Sequence, residues 1–257
     1  FTGIRIAVCL ILEPKTAVLL RQLKQAGAIV GAYCGSEAND ERVAAQLREE
    51  GIPVAYNPDW TPGQAHQGAL DLLDEIQPNI IIDDGASFAR LAAMERPELM
   101  EHIIGVAEET TSGIRAFQAM QDAGALSFPV IAVNDSMLKT GFDNAHGTGE
   151  TCVTTMQRIL GHDCFAGKNV CVVGYGPVGR GFAHRVRAES DIVISATGVR
   201  HTIAMQHLQI MKPNAVLSVI GGIANEIALD EIDGFQAENK REIRDLDVPS
   251  GPRIRLI

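Results

Sequence analysis

The stretch from Asn169 to about Arg187 limits the architectures open to this chain more than any other. Asn169–Val173 reads as a compact β-branched strand. It runs directly into Gly174-Tyr175-Gly176-Pro177-Val178-Gly179, after which a helix is predicted to about Arg187. Strand, G-x-G-x-x-G turn and helix, in that order, make the phosphate-binding unit of doubly wound parallel sheets. The first glycine permits the tight turn, the second lets a pyrophosphate approach the backbone, and the third lets helix and strand pack closely. The start of the helix then offers unpaired N–H groups and the positive end of its dipole to an anion. Gly174, Gly176, Pro177, Val178 and Gly179 are therefore candidate cofactor-binding positions; a tight turn with no ligand is the competing reading.

The rest of the chain repeats the same alternation of short apolar runs and longer helical patterns, which predicts β-α units and a parallel sheet. Strands are expected over Ile4–Leu12, Ile29–Tyr33, Val54–Tyr56, Ile80–Ile82, Gly105–Glu108 and Val130–Asn134. Helices are expected over Lys15–Ala26, Asp40–Glu50, Gln64–Glu75, Gly113–Ala123 and Thr148–Leu160. Beyond the glycine motif, further strands are expected over Ile192–Ser195 and Val216–Ile220. Polar or acidic residues close several of these strands, where open α/β sheets place their ligands.

Composition narrows the partners. The net charge of −10 over 257 residues argues against nucleic acid, which is held by neutralising its phosphates, and equally against anionic membrane surfaces. No apolar run approaches the ~20 residues of a bilayer span, and no leader pattern is visible. Five cysteines without C-x-x-C or Cys/His spacing predict no metal site and reduced, mostly buried thiols in a cytoplasmic protein.

One stretch departs from an intact dinucleotide fold. A second strand ending in an acidic residue is expected roughly 20 positions beyond the glycine motif. Instead the helix runs into Glu189-Ser190-Asp191 and a strand closing on Ala196-Thr197-Gly198. Either that strand is the second one with its acid misplaced, or a strand–helix–strand segment is missing between Ala188 and Glu189; the Ala-Thr-Gly ending favours the latter. The start at Phe1 and the apolar end at Ile254–Ile257 add the expectation of a longer parent chain.

Several further stretches resemble the adenosylhomocysteinase family. They are Ile82-Asp83-Asp84-Gly85, Ala107-Glu108-Glu109-Thr110-Thr111-Ser112-Gly113, and Val133-Asn134-Asp135-Ser136 through Lys139 to Phe142-Asp143-Asn144, followed in order by the glycine motif and Ala196-Thr197-Gly198. The resemblance implies an α/β fold of two domains. A parallel-sheet substrate domain would span residues 1–160, a Rossmann-type NAD-binding domain residues 161–238 (incomplete between 188 and 189), and a return segment toward the substrate domain residues 239–257. It also implies a homo-oligomer, dimer or tetramer, acting on an adenine nucleoside. The chemistry it implies is oxidation of the ribose 3′-hydroxyl by tightly bound NAD, loss of the acidified C4′ proton, elimination of the 5′ leaving group, addition of water and return of the hydride.

Matched to the family's motifs, Lys139 and Asp143 flank the sugar hydroxyl, and Asp84 lies near C4′ and the leaving group. Lys139 and Asp143 are four apart, so on a helix they share a face. Glu109, Thr16 and Asn134 match substrate-binding positions. Thr110, Thr111, Ser112 and Asn144 match positions around the nicotinamide and its ribose, and Thr197, Gly198, Ile220 and Gly221 complete the cofactor set.

The departures concern proton handling. Where the family carries a His and a Thr after the first strand, this chain has Ile11 and Glu13; where it has Gly-His-Phe, this chain has Gly221-Gly222-Ile223. A cysteine and the following arginine near the nicotinamide are Thr148 and Gly149, and Ser36-Glu37-Ala38-Asn39-Asp40 replaces a substrate-facing stretch. His146 and His201 read as surface or capping residues. Loss of two histidines predicts elimination without rehydration, a dehydratase or lyase with Glu13 as acid. The alternatives are S-adenosyl-L-homocysteine hydrolysis, a sugar epimerase, and an NAD-bound regulatory relative without turnover.

Overall fold

The computed structural model describes residues 1–35, 39–186, 192–220, 225–233, 235 and 243–257. They form two compact units, Phe1–Asp135 and Ser136–Ile257.

The first unit alternates strand and helix: β1 (Arg5–Cys9), α1 (Pro14–Gln25), β2 (Ile29–Tyr33), α2 (Glu41–Glu49), β3 (Val54–Ala55), α3 (Pro62–Ile76), β4 (Ile80–Asp83), α4 (Ser87–Glu95), α5 (Pro97–Met100), β5 (Gly105–Glu108), α6 (Thr111–Asp122) and β6 (Val130–Ala132). Its six strands are parallel in the order β3-β2-β1-β4-β5-β6. β1 lies at the centre, and strict alternation divides its side chains. Ile6 and Val8 join the cluster under α1 and α2 with Leu20 and Leu47, while Ala7 and Cys9 join Leu73, Ile81 and Phe88 on the other face. Burial on both faces is what a parallel sheet with helices above and below requires. Local signals set the helix starts: Pro14 opens α1, the Asp40 carboxylate accepts from the Arg42 N–H at 2.9 Å, and a Thr61–Gln64 capping box starts α3.

The strand order reverses between β1 and β4. The loops after these two strands, Leu10–Glu13 and Asp84–Ala86, therefore flank the crevice where doubly wound sheets bind ligands.

In the second unit a π-helix (Lys139–Thr148) continues directly into α7 (Gly149–Leu160). β7 (Val170–Val173), α8 (Pro177–Arg185), β8 (Ile192–Ser195), α9 (Met205–Gln209), β9 (Val216–Val219), β10 (Arg244–Asp247) and β11 (Arg253–Leu256) follow. The sheet order is β10-β11-β9-β8-β7, parallel except for the β10–β11 hairpin. Among the described residues β7 is an end strand, and it is correspondingly open: Cys171 is exposed, and Val170, Val172 and Val173 are half-buried.

Several expectations change. Residues 149–160 belong to the second unit, which begins at Ser136, not after residue 160. Within the described part of 239–257, β11 pairs with β9 and extends the second sheet. Residues Lys139–Thr148, for which no element was expected before the helix start at Thr148, are π-helical. α4 and α5 were not anticipated, because the Ala- and Met-rich 87–100 stretch lacks a clean polar face. Of the five thiols only Cys9 and Cys34 are buried. No helix among the described residues is long and apolar enough to cross a membrane, and no group of three or more His, Cys, Asp or Glu among them could hold a metal ion.

Candidate active site

The carboxyl edge of the first sheet carries a connected set of polar side chains. Thr110, just past β5, donates its hydroxyl proton to Asp84 in a short hydrogen bond. The Asn134 amide donates to Thr111 Oγ1 at 3.1 Å and to Asp135 Oδ1 at 3.0 Å. The Glu109 N–H donates to the Asp83 carbonyl at 3.1 Å, fixing one acidic doublet against the other.

Beneath this set lie two fully buried carboxyls, Asp83 and Glu108, opposite one another across the β4–β5 ladder. Asp83 accepts from the N–H groups of Asp84 (3.0 Å) and Ala89 (2.8 Å). Glu108 accepts from Gly85 (2.9 Å), Ala86 (2.9 Å) and Thr110 (2.8 Å), and so sets the shape of both loops. Burial pushes Asp83 up to about 6 and Glu108 up to about 7, against the pull of these hydrogen bonds. The folded chain thus keeps protons that the unfolded chain releases above about pH 4. Stability should fall as pH rises from about 4 to 7 and level off beyond. Denaturant unfolding across that window checks this. Glu108→Gln should flatten the upper part of the slope; an unaltered slope in that variant contradicts the assignment.

In the second unit the π-helix carries Lys139, Asp143 and Asn144. Its wider turn is visible in the Asp143 N–H reaching back five residues to the Leu138 carbonyl at 3.4 Å. Such helices are rare and concentrate at functional sites. A side chain at Gly181 of α8 would place its Cβ 1.7 Å from the Ala145 carbonyl oxygen, and one at Gly149 would fall 2.7 Å from the Gly181–Phe182 backbone. The two glycines therefore let the π-helix lie directly on the helix that starts at the glycine motif.

The motif itself has the geometry its sequence demands. Gly174 has φ +97°, and at Gly179 a Cβ would fall 2.0 Å from the Gly174 carbonyl oxygen. Nothing lies within 4 Å of a Cβ position at Gly176, so the turn is open at the residue that a pyrophosphate must approach. This cradle fits the phosphates of a dinucleotide.

Beside it the Ala196-Thr197-Gly198 turn is held from below by Glu226, a fully buried carboxylate. Glu226 accepts from Ser195 Oγ (2.5 Å), Thr197 N–H (3.2 Å), Thr197 Oγ1 (3.1 Å) and Gly198 N–H (3.0 Å). Glu226→Ala leaves these donors unpaired and should lower the unfolding free energy by about 2–3 kcal/mol. Urea unfolding measures this; a change under about 0.5 kcal/mol would be that of an ordinary surface site and contradicts the role.

A family model described as S-adenosyl-L-homocysteine hydrolase matches residues 92–243. An adenosylhomocysteinase of Thermococcus kodakarensis is 35% identical over a match that takes in 100% of this chain and 69% of the relative. The chain belongs to the S-adenosyl-L-homocysteine hydrolase family. An S-inosyl-L-homocysteine hydrolase of Methanopyrus kandleri is also 35% identical, with 99% of this chain and 69% of that relative matched. These names favour the hydrolytic alternative over the dehydratase or lyase expectation. The match to the Thermococcus hydrolase runs over 294 positions against 257 residues here, so about 37 of its positions have no counterpart in this family member.

Of the residues expected to act, Asp84 and Thr110 are joined, as are Thr111 and Asn134, with Glu109 between β5 and α6 and Ser112 in the first turn of α6. Thr16 is buried and donates its hydroxyl proton to the Ile11 carbonyl at 2.7 Å, which makes it a loop-shaping residue. Glu13 is the N-cap residue of α1, pairs with Lys15 at 3.1 Å and leaves 41% of its side chain exposed. Ile220 extends the β8–β9 pairing through its N–H to the Ser195 carbonyl at 2.7 Å. His201 pairs with Asp230 at 2.8 Å, and His146 lies against the Phe142 ring. Gly221, Gly222, Ile223, Ser36-Glu37-Ala38 and the Ala188–Glu189 junction lie outside the described residues.

The sequence reading missed Asp83 and Glu108 as structural partners of the site, and Glu226 altogether. A signal for the first two was present. In each acidic doublet the first residue ends the strand and points inward, leaving the second beyond the strand.

Proposed function

We propose that this chain catalyses the hydrolysis of an S-nucleosyl-L-homocysteine to the nucleoside and L-homocysteine, by an internal redox cycle with NAD. The observation that carries the reading is the likeness, over nearly all of this chain and 69% of each relative, to two such hydrolases, combined with the ordered set Asp84–Thr110 and Asn134–Thr111 in the first unit and Lys139 with Asp143 on the π-helix of the second. A bound nicotinamide supplies the hydride acceptor and its return.

The chain's own residues handle the protons and the binding. Lys139 Nζ takes the proton of the sugar 3′-hydroxyl, and Asp143 keeps that ammonium oriented. Asp84, steadied by the Thr110 hydroxyl, receives the C4′ proton. Glu109 accepts hydrogen bonds from sugar hydroxyls, while Thr111, Ser112 and Asn144 hold the nicotinamide half. Thr197 and Gly198 line the cofactor turn that Glu226 supports. General acid–base placement of this kind is worth roughly 10²–10⁴-fold in rate.

The relatives' names differ in the nucleobase, adenine in one and hypoxanthine in the other. A thiol assay with S-adenosyl- and S-inosyl-L-homocysteine, each supplied to the NAD-loaded protein, tests the reading. Catalytic release of homocysteine from at least one supports it. Release from neither refutes it and returns the choice to the epimerase or the regulatory relative.

A further inference from the structure

Two loops of the first unit carry the joined pair of the site: Asp84 follows β4 and Thr110 follows β5. Beneath that pair a single side chain reaches both loops. Glu108 Oε1 accepts from the Gly85 N–H at 2.9 Å and the Thr110 N–H at 2.8 Å, and Oε2 accepts from the Ala86 N–H at 2.9 Å. Glu108 is fully buried, and the backbone of α6 closes over it: a Cβ at Gly113 would overlap the Glu108 carboxyl carbon. The carboxyl is thereby held against its three donors.

Because all three partners are N–H groups, the protonation state of Glu108 matters to the loops. An ionised carboxylate accepts on both oxygens, in strengthened, charge-assisted bonds. A protonated carboxyl carries an O–H on one oxygen, and none of the three groups facing it can accept that hydrogen. Protonation therefore slackens the tie between the loops. The titratable groups packed about Glu108 are Asp83 of β4, opposite it in the ladder, Asp84, joined to it through Thr110, and Cys9 of β1, which hydrogen-bonds Asp83. Burial first, and then the Asp83 charge, push Glu108 up to about 7 against the pull of its hydrogen bonds.

We infer that Glu108 is a positioning residue whose ionisation ties the Asp84 and Thr110 loops together and brings the site into working order as pH rises. The inference rests on the proposed function for the roles of Asp84 and Thr110, and adds what controls their placement. This local gain is distinct from the global cost of burying the charge, which lowers stability over the same range.

The amide resonances of Gly85, Ala86 and Thr110, followed by NMR from about pH 5 to 9, test the tie without any turnover. They should shift together with one midpoint near 7, and lose that transition in Glu108→Gln, whose side chain cannot ionise. In the unaltered protein kcat/KM for homocysteine release should rise about tenfold or more through the same midpoint. Glu108→Gln, with its native circular dichroism spectrum retained, should stay at the acid-side level across the range. A purely structural role would lower activity without flattening the profile. Amides that do not titrate together overturn the inference and leave the proposed function standing, as does a Glu108→Gln protein with the unaltered pH profile. Within the unaltered protein alone, amide and kcat/KM midpoints more than about one pH unit apart also overturn it. Absence of homocysteine release at every pH refutes the proposed function instead, and the amide titration still decides whether Glu108 ties the loops.

Discussion

Lys139→Ala is expected to lower turnover by about 10²–10⁴-fold and to abolish the transient reduced-nicotinamide absorbance that appears when substrate meets the NAD-loaded protein. In the proposed cycle hydride leaves the sugar carbon as the hydroxyl proton passes to Lys139, so removing that acceptor is expected to stop the cycle at its first step. Dinucleotide affinity should change by less than about twofold, because the glycine cradle lies in a separate turn from the π-helix. Lys139→Arg separates proton transfer from charge. Its guanidinium keeps the positive charge but does not release a proton at working pH, so this variant should be as inactive as the alanine one. Lys139→Arg with near-native turnover would show that Lys139 contributes only charge.

Gly181→Ala is expected to produce the largest structural loss of any single methyl group added to the second unit. Its Cβ would stand 1.7 Å from a backbone carbonyl oxygen, that of Ala145, which no rotamer change can move aside. The π-helix would have to lift off α8, with an overpacking cost of about 3 kcal/mol. Turnover should fall with it, since Lys139 and Asp143 are carried on the displaced helix. Gly63→Ala provides the contrast. That glycine sits in the first turn of α3 with nothing within 4 Å of its Cβ position, so the variant should be neutral or gain up to about 1 kcal/mol. Urea unfolding of the two variants checks the pair; equal stability would contradict the close-packed account of the π-helix.

The alternation of β-branched runs with amphipathic stretches made most of the fold legible. β2, β5 and β8 fall on the expected residues, because each is a short apolar run bounded by turn or acidic residues. The glycine motif was legible for the same reason, since its physical demands are local. What the sequence hid depends on tertiary context. The π-helix hid because a wider turn needs only one altered hydrogen-bond register, which leaves the side-chain pattern nearly unchanged. It lies against Gly181, which is 33 to 42 residues beyond it in the chain and is not evident from the local pattern. Glu226 hid for a related reason. An acid after a strand reads as surface, and only the β8–β9 pairing brings the Ser195–Gly198 turn over it. The pairing of the C-terminal hairpin was not legible, because strand composition does not name a partner; β11 pairs with β9 within its own unit.

The most direct test of the central claim follows the oxygen. The NAD-loaded protein is incubated with S-adenosyl-L-homocysteine in ¹⁸O-labelled water, and the nucleoside is analysed by mass. Hydrolysis through elimination and rehydration predicts adenosine carrying one labelled oxygen at the 5′ position, with an equal amount of homocysteine. An unlabelled 4′,5′-unsaturated nucleoside accompanying the homocysteine would contradict it and establish a lyase.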